Sequence, residues 1–198
     1  NILKIREKNN NILIENFMYE YTKIFKNNLD YLKNNKSKIH EISVNFLIPK
    51  LKFKSFRSIN LKQNSFIYDI GSYIASYLSH LKIKLPYKNK INLKMNKNKN
   101  VNMFLNFKYH NINININFGY SSEYKNKIIF KKNNEELIFD YFFYGIEKNK
   151  KIYSNTKKNR VLKSIEDNNG FVSILKKSKK YWIKSQGHRD LMFIRNTK

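Results

Sequence analysis

The sequence contains no cysteine, which excludes a disulfide framework, a thiolate zinc site and a cysteine nucleophile. Its five glycines, Gly71, Gly119, Gly145, Gly170 and Gly187, are too scattered to form a phosphate-cradling loop, so a nucleotide-hydrolysing fold is not expected. Acidic residues are scarce: 14 Asp plus Glu stand against 40 Lys plus Arg, a net charge of +26. No apolar run approaches the ~18 residues of a membrane span, and the most apolar stretch, 137–146, is interrupted by Asp140. The sequence therefore predicts a soluble protein with no membrane partner. Ala75 is the only alanine, while Asn, Lys, Ile, Phe and Tyr crowd the chain, a usage that points to an AT-rich genome such as that of an organelle.

At 198 residues with 41% hydrophobic content, the chain can bury a core. So much charge of one sign repels itself unless a polyanion neutralises it, which predicts RNA or DNA as partner rather than a small-molecule substrate. Residues 1–25 lack the Ser/Arg-rich character of a transit peptide and the apolar core of a signal peptide. A protein made inside an organelle needs neither, and a mitochondrial location is the expectation.

Apolar residues recur at helical spacing in 11–32 (Phe17, Tyr21, Ile24, Phe25, Leu29, Leu32) and again in 65–81 (Phe66, Ile70, Ile74, Tyr77, Leu81), predicting two amphipathic helices. Between them Ile42, Val44, Phe46 and Ile48 alternate in a strand that stops at Pro49. A basic loop follows, with Lys50, Lys52, Lys54 and Arg57 placed to neutralise phosphates. Residues 88–100 read as an exposed Lys/Asn-rich insertion. Alternation over 101–107 and 112–118 predicts a hairpin with its turn near Tyr109-His110. Shorter strands are expected at 127–130, 137–144, 151–153, 171–175 and 190–194, with a helical turn near 160–166. The expected class is α+β: an N-terminal helix-strand-helix-hairpin unit over 1–125 and a mostly β, RNA-binding unit over 126–198.

No catalytic constellation is evident. Ser185, His188 and Asp190 crowd one short segment that cannot converge as a triad. His40, His80 and His110 sit alone, without metal-ligand spacing. The acidic pairs Glu135-Glu136 and Glu166-Asp167 read as exposed loop residues, not as the clustered carboxylates of a two-metal nuclease. No enzyme activity, cofactor or metal is expected. The densest positive run, Lys176-Lys177-Ser178-Lys179-Lys180-Tyr181-Trp182, reads as a loop after a strand, its lysines set for phosphates, its hydroxyl for phosphate or ribose, its rings for bases.

These segments resemble a known family. Lys151–Thr156, Arg160-Val161-Leu162, Asn169–Lys180 and Gly187–Ile194 are similar to the C-terminal half of the universal S-eight family of small-ribosomal-subunit proteins. Thr22-Lys23-Ile24, Val44–Lys52 and Phe107-Lys108-Tyr109 resemble earlier motifs of that family in the same order. In the basic loop Ser178 and Lys179 match, while Lys176, Lys177 and Lys180 stand where the family has Ser, Thr and Gly. His188 and Arg189, beside Gly187, fall in the family's closing loop. The resemblance implies a structural constituent of an organellar ribosome that binds the central domain of small-subunit rRNA beside neighbouring ribosomal proteins. Alternatives are a large-subunit L-six-like or small-subunit S-three-like protein, a basic RNA-binding assembly factor, or, less favoured, an organellar nuclease.

Overall fold

Eight strands pair into one mixed sheet in the order β2-β3-β4-β1-β5-β6-β7-β8. The computed structural model describes residues 17–49, 65–86, 92–96, 101–146, 149–156 and 160–184. Along the chain a 3-10 turn (Met18–Tyr21) leads into α1 (Lys23–Asn35), β1 (Glu41–Pro49) and α2 (Ser65–His80). Strands β2 (Asn92–Asn96), β3 (Val101–Tyr109), β4 (Ile112–Ser121) and β5 (Lys125–Lys132) follow. Then come β6 (Glu135–Asp140), β7 (Asn149–Asn155), β8 (Arg160–Glu166) and the closing helix α3 (Gly170–Lys184). The class is α+β, and the sheet carries strands from both sides of residue 125.

The central strand is β1, parallel to β4 on one side, with Val44 opposite Ile116, and antiparallel to β5 on the other, with Val44 opposite Ile128. All other pairs are antiparallel. A two-residue side-chain period puts Ile42, Val44 and Phe46 of β1 on the same buried face as Ile114, Ile116 and Phe118 of β4 and Ile128 and Phe130 of β5. The hairpin turn between β3 and β4 falls at His110, which adopts a positive φ of 52.

Helices α1 and α2 cover that buried face. Thr22 caps α1 through its hydroxyl, which accepts from Phe25 N. Tyr31 of α1 stacks on Phe130 with ring centroids 5.7 Å apart, and Phe66 of α2 meets Phe118 at 5.9 Å. The two helices are joined by a buried hydrogen bond in which Tyr77 Oη donates to Asn28 Oδ1 at 2.8 Å. Phe142, fully buried just after β6, fills the space among Tyr19, Phe25 and Tyr77.

Three sequence expectations change. Residues 160–166 form strand β8 on β7, with Tyr153 opposite Leu162, in place of a helical turn. Residues 92–96, inside the expected loop 88–100, form β2. The strand expected at 171–175 and the loop expected at 176–182 are instead consecutive parts of α3. The physical reason is local: Asn169 Oδ1 accepts from Phe171 N and Val172 N, capping a helix start. Gly170 and Ile174 are then buried one turn apart while the lysines, good helix formers, lie beyond them.

Candidate functional site

A cavity of about 320 Å³ opens where α2, the β1–β5 strand pair and the turn after β6 meet. Phe46 and Ile48 of β1 form its floor, and Ile70 and Tyr73 of α2 one wall. Tyr124 and Asn126, at the start of β5, face them. Phe143, Tyr144, Gly145 and Ile146 close one end, and Met18 and Phe171 complete the lining. The body is apolar and the polar groups are few, the composition of sites that hold small organic ligands.

Those polar groups are held by specific bonds. Asp69, the one carboxylate in α2, accepts from Tyr120 Oη at 3.3 Å across to β4. Asn126 is buried; its Nδ2 donates to Tyr124 Oη at 2.9 Å, its Oδ1 accepts from Phe143 N at 2.8 Å and its carbonyl accepts from Phe142 N at 3.1 Å. One side chain thus sets both the Tyr124 phenol and the turn 141–146. Replacing Asn126 by Ala leaves the Phe143 amide buried without its acceptor and should cost about 2 kcal/mol in urea unfolding, with ligand affinity of the cavity falling as well. Burial pushes the Tyr124 phenol pKa up despite the Asn126 bond, so the group stays protonated and able to donate at neutral pH.

A second polar cluster braces the end wall. Lys150 of β7 and Asp167, which precedes α3, are each 0% exposed and pair at 2.7 Å. Lys150 Nζ also donates to the Tyr144 carbonyl, and Asp167 Oδ1 accepts from Lys23 N at 2.7 Å and Asn168 N at 2.9 Å. Burial lowers the Lys150 pKa against the opposing pull of Asp167. The pair ties β7, the 144–146 turn, the start of α1 and the entry to α3 to one point.

A third network links α2 to the 3-10 turn: Tyr19 Oη donates to Ser76 Oγ at 2.9 Å, Ser76 donates to Glu20, and His80 Nε2 lies 3.1 Å from Glu20 Oε1. His80, expected to stand alone, is therefore part of a polar chain beside the Tyr19 phenol, whose pKa burial raises strongly.

The residues expected to bind RNA are not gathered at one place among the described residues. Lys50, Lys52, Lys54, Arg57, His188 and Arg189 lie outside the described residues, as do Ser185 and Asp190. Lys176, Lys177, Ser178, Lys179, Lys180, Tyr181 and Trp182 lie along α3, not in a rigid loop after a strand. Lys176 and Lys177 are exposed, and Lys177 Nζ sits 5.0 Å over the Tyr21 ring. Glu135 and Glu136, expected in a loop, lie in β6, where they face Lys132 and Lys131 across the ladder to β5. Asp167, also expected in an exposed loop, is buried. Sequence reading missed Asp69, Tyr124, Asn126 and Lys150. The available signals were a lone carboxylate in an apolar helix and a Tyr-x-Asn step opening a strand.

Comparison with known proteins separates fold from family. No family model matches the chain, and no curated protein matches it by sequence. Its fold is shared with solved oxidoreductases. KijD10, a 3-ketoreductase from Actinomadura kijaniata in complex with NADP and TDP-benzene, superposes with a TM-score of 0.70 at 13% identity, over 95% of this chain and 59% of that one. An aldose-aldose oxidoreductase from Caulobacter crescentus, complexed with glycerol, gives 0.67 at 10% identity, over 93% and 57%. The chain thus spans less than two thirds of the length of either protein.

This likeness corrects the ribosomal expectation. A fold that follows oxidoreductases over nearly the whole chain is not that of the S-eight family, and the L-six-like, S-three-like, assembly-factor and nuclease alternatives find no support. The expectations of small-subunit rRNA and ribosomal proteins as partners, of no small-molecule substrate and of no enzyme fall with it. The resembling motifs are short and built from Lys, Ile, Ser and Tyr, which this chain uses throughout, so composition alone brings them into alignment.

Proposed function

We propose that this chain is the ligand-binding sheet unit of an oxidoreductase-type protein, and that its cavity takes the sugar-sized group of a nucleoside-diphosphate ligand. The observation that carries the reading is the cavity itself: an apolar volume of about 320 Å³ rimmed by the Tyr124 phenol and the Asp69 carboxylate, each oriented by a partner side chain. A phenol donates to a hydroxyl oxygen and a carboxylate accepts from a hydroxyl, the two bonds by which a sugar ring is fixed. The ring faces would rest on Phe46, Ile70 and Tyr73. A net charge of +26 supplies the field that draws a diphosphate toward the molecule. The bound ligands of KijD10, NADP and TDP-benzene, are of this anionic class.

A dinucleotide such as NADP does not fit the described residues in the same way. The five glycines form no G-x-G-x-x-G loop. At the start of α1, Lys23 N and Phe25 N already donate to Asp167, Asn168 and Thr22, and at the start of α3 Phe171 N and Val172 N donate to Asn169. Helix N-termini satisfied by the chain's own side chains are poor cradles for a pyrophosphate. These residues are therefore assigned ligand binding and no hydride step.

Calorimetric titration of the full chain with TDP-glucose and with TDP tests it. TDP-glucose should bind the more tightly, Tyr124→Phe should weaken it about fivefold by removing one hydrogen bond of ~1 kcal/mol, and Ile48→Trp, which places an indole in the volume, should remove the preference. Equal affinity for TDP and TDP-glucose, indifferent to both substitutions, would show that surface lysines alone hold the phosphates and would sink the assignment.

A further inference from the structure

Helix α3 has two faces that serve different environments. Ile174 is buried and Gly170 rests against the Met18 backbone, so that side faces the body of the protein. The other side leaves large apolar side chains in water: Phe171 is 38% exposed, Val172 44% and Leu175 69%. Exposed apolar residues at i, i+1 and i+4 of one helix are a contiguous patch, not scattered single residues. The helix also carries five lysines in fifteen residues, Lys176, Lys177, Lys179, Lys180 and Lys184, and no acidic residue.

We propose that the outer face of α3 docks on an anionic lipid surface, the apolar residues entering the interface and the lysines pairing with headgroup phosphates. Charge complementarity selects this occupant. A second copy of the chain carries the same +26 and would be repelled, whereas an anionic bilayer attracts it and also offers an apolar phase for Leu175. No described helix is long and apolar enough to cross a membrane, so the contact proposed is interfacial. The helix is tethered at its start by Gly170, whose N donates to Gly145 O at 2.7 Å. Phe171 also lines the ligand cavity, which places the proposed membrane-facing side next to the cavity mouth.

The test uses the full chain with vesicles of phosphatidylcholine alone and of an equimolar phosphatidylcholine–phosphatidylglycerol mixture, read by co-sedimentation. Binding should require phosphatidylglycerol. Leu175→Gln, a surface substitution with little bearing on folding, should weaken it about tenfold, and Lys176→Gln about fivefold. Binding to dextran sulfate should be indifferent to Leu175→Gln. Two results would each overturn the proposal: no binding to anionic vesicles, or binding unchanged in Leu175→Gln. The second would leave a generic lysine patch, and a preference for an acidic protein with the same Leu175 dependence but no affinity for vesicles would reassign the face.

Discussion

Replacing Lys150 by Met should destabilise the protein by about 3–5 kcal/mol, the cost of leaving a buried charge without its partner. Lys150 and Asp167 are both fully excluded from water and pair at 2.7 Å. With the ammonium gone, Asp167 keeps its bonds from Lys23 N and Asn168 N on Oδ1 but has no counter-charge. The Tyr144 carbonyl loses its donor at the same moment. The double variant Lys150→Met with Asp167→Leu should recover part of the loss, since no charge is then stranded, but not all, because the Asn168 amide has lost its acceptor. Urea unfolding of the wild type and both variants measures this, with an unchanged slope as the sign that only stability has moved. A loss below about 1 kcal/mol in the single variant would mean that water reaches the Asp167 carboxylate in the folded protein, contrary to its burial. The substitution should reach the ligand as well: Tyr144 lines the cavity, so a freed 144–146 turn should lower affinity even where the protein is fully folded.

Which parts of this arrangement could be read from the sequence follows from the range of the forces involved. Side-chain alternation is local, and the buried faces of β1 and β4 stand in the sequence as Ile42, Val44, Phe46 and Ile112, Ile114, Ile116, Phe118. The helical stripe of 65–81 is equally local, and the helix runs from Ser65 to His80. Placing β1 between β4 and β5 is not local: Val44 and its partner Ile116 are 72 positions apart (116 − 44), and no turn signal records that pairing. The cavity has the same character, because Met18, Ile48, Asp69, Tyr124, Tyr144 and Phe171 come from six separate stretches of chain. Residues 171–182 differ from expectation for another reason. Phe-Val-Ser-Ile-Leu has β-branched residues and reads as a strand, but the Asn169 cap and the fit of Gly170 against the 3-10 turn decided for helix. Glu166-Asp167 lies in a polar stretch that reads as an exposed loop, and only the fold brings Lys150 to Asp167.

Gly170→Ala should destabilise by about 3 kcal/mol, at the upper end of overpacking costs, and more than the same change at Gly145 or Gly71. A Cβ at Gly170 would stand 2.0 Å from the Met18 carbonyl oxygen and 2.8 Å from its carbonyl carbon. Both obstacles are backbone, so no rotamer relieves them, and α3 must move away from the 3-10 turn. At Gly145 the nearest atoms are Met18 Cγ at 1.7 Å, which a change of rotamer moves, and Met18 Cβ at 2.6 Å, which only a small backbone shift relieves. At Gly71 the Phe118 ring lies 3.1 Å away, and the ~1 kcal/mol that Ala gains over Gly in a helix offsets much of that crowding. Adding Met18→Ala should therefore recover part of the Gly145→Ala loss and none of the Gly170→Ala loss, because the carbonyl remains. Because Gly170 N donates to Gly145 O, a displaced α3 also opens the end wall of the cavity, and TDP-glucose binding should fall in Gly170→Ala while persisting in Gly71→Ala. Equal unfolding midpoints for the Gly170 and Gly71 variants would show that the first turn of α3 does not rest on the Met18 backbone.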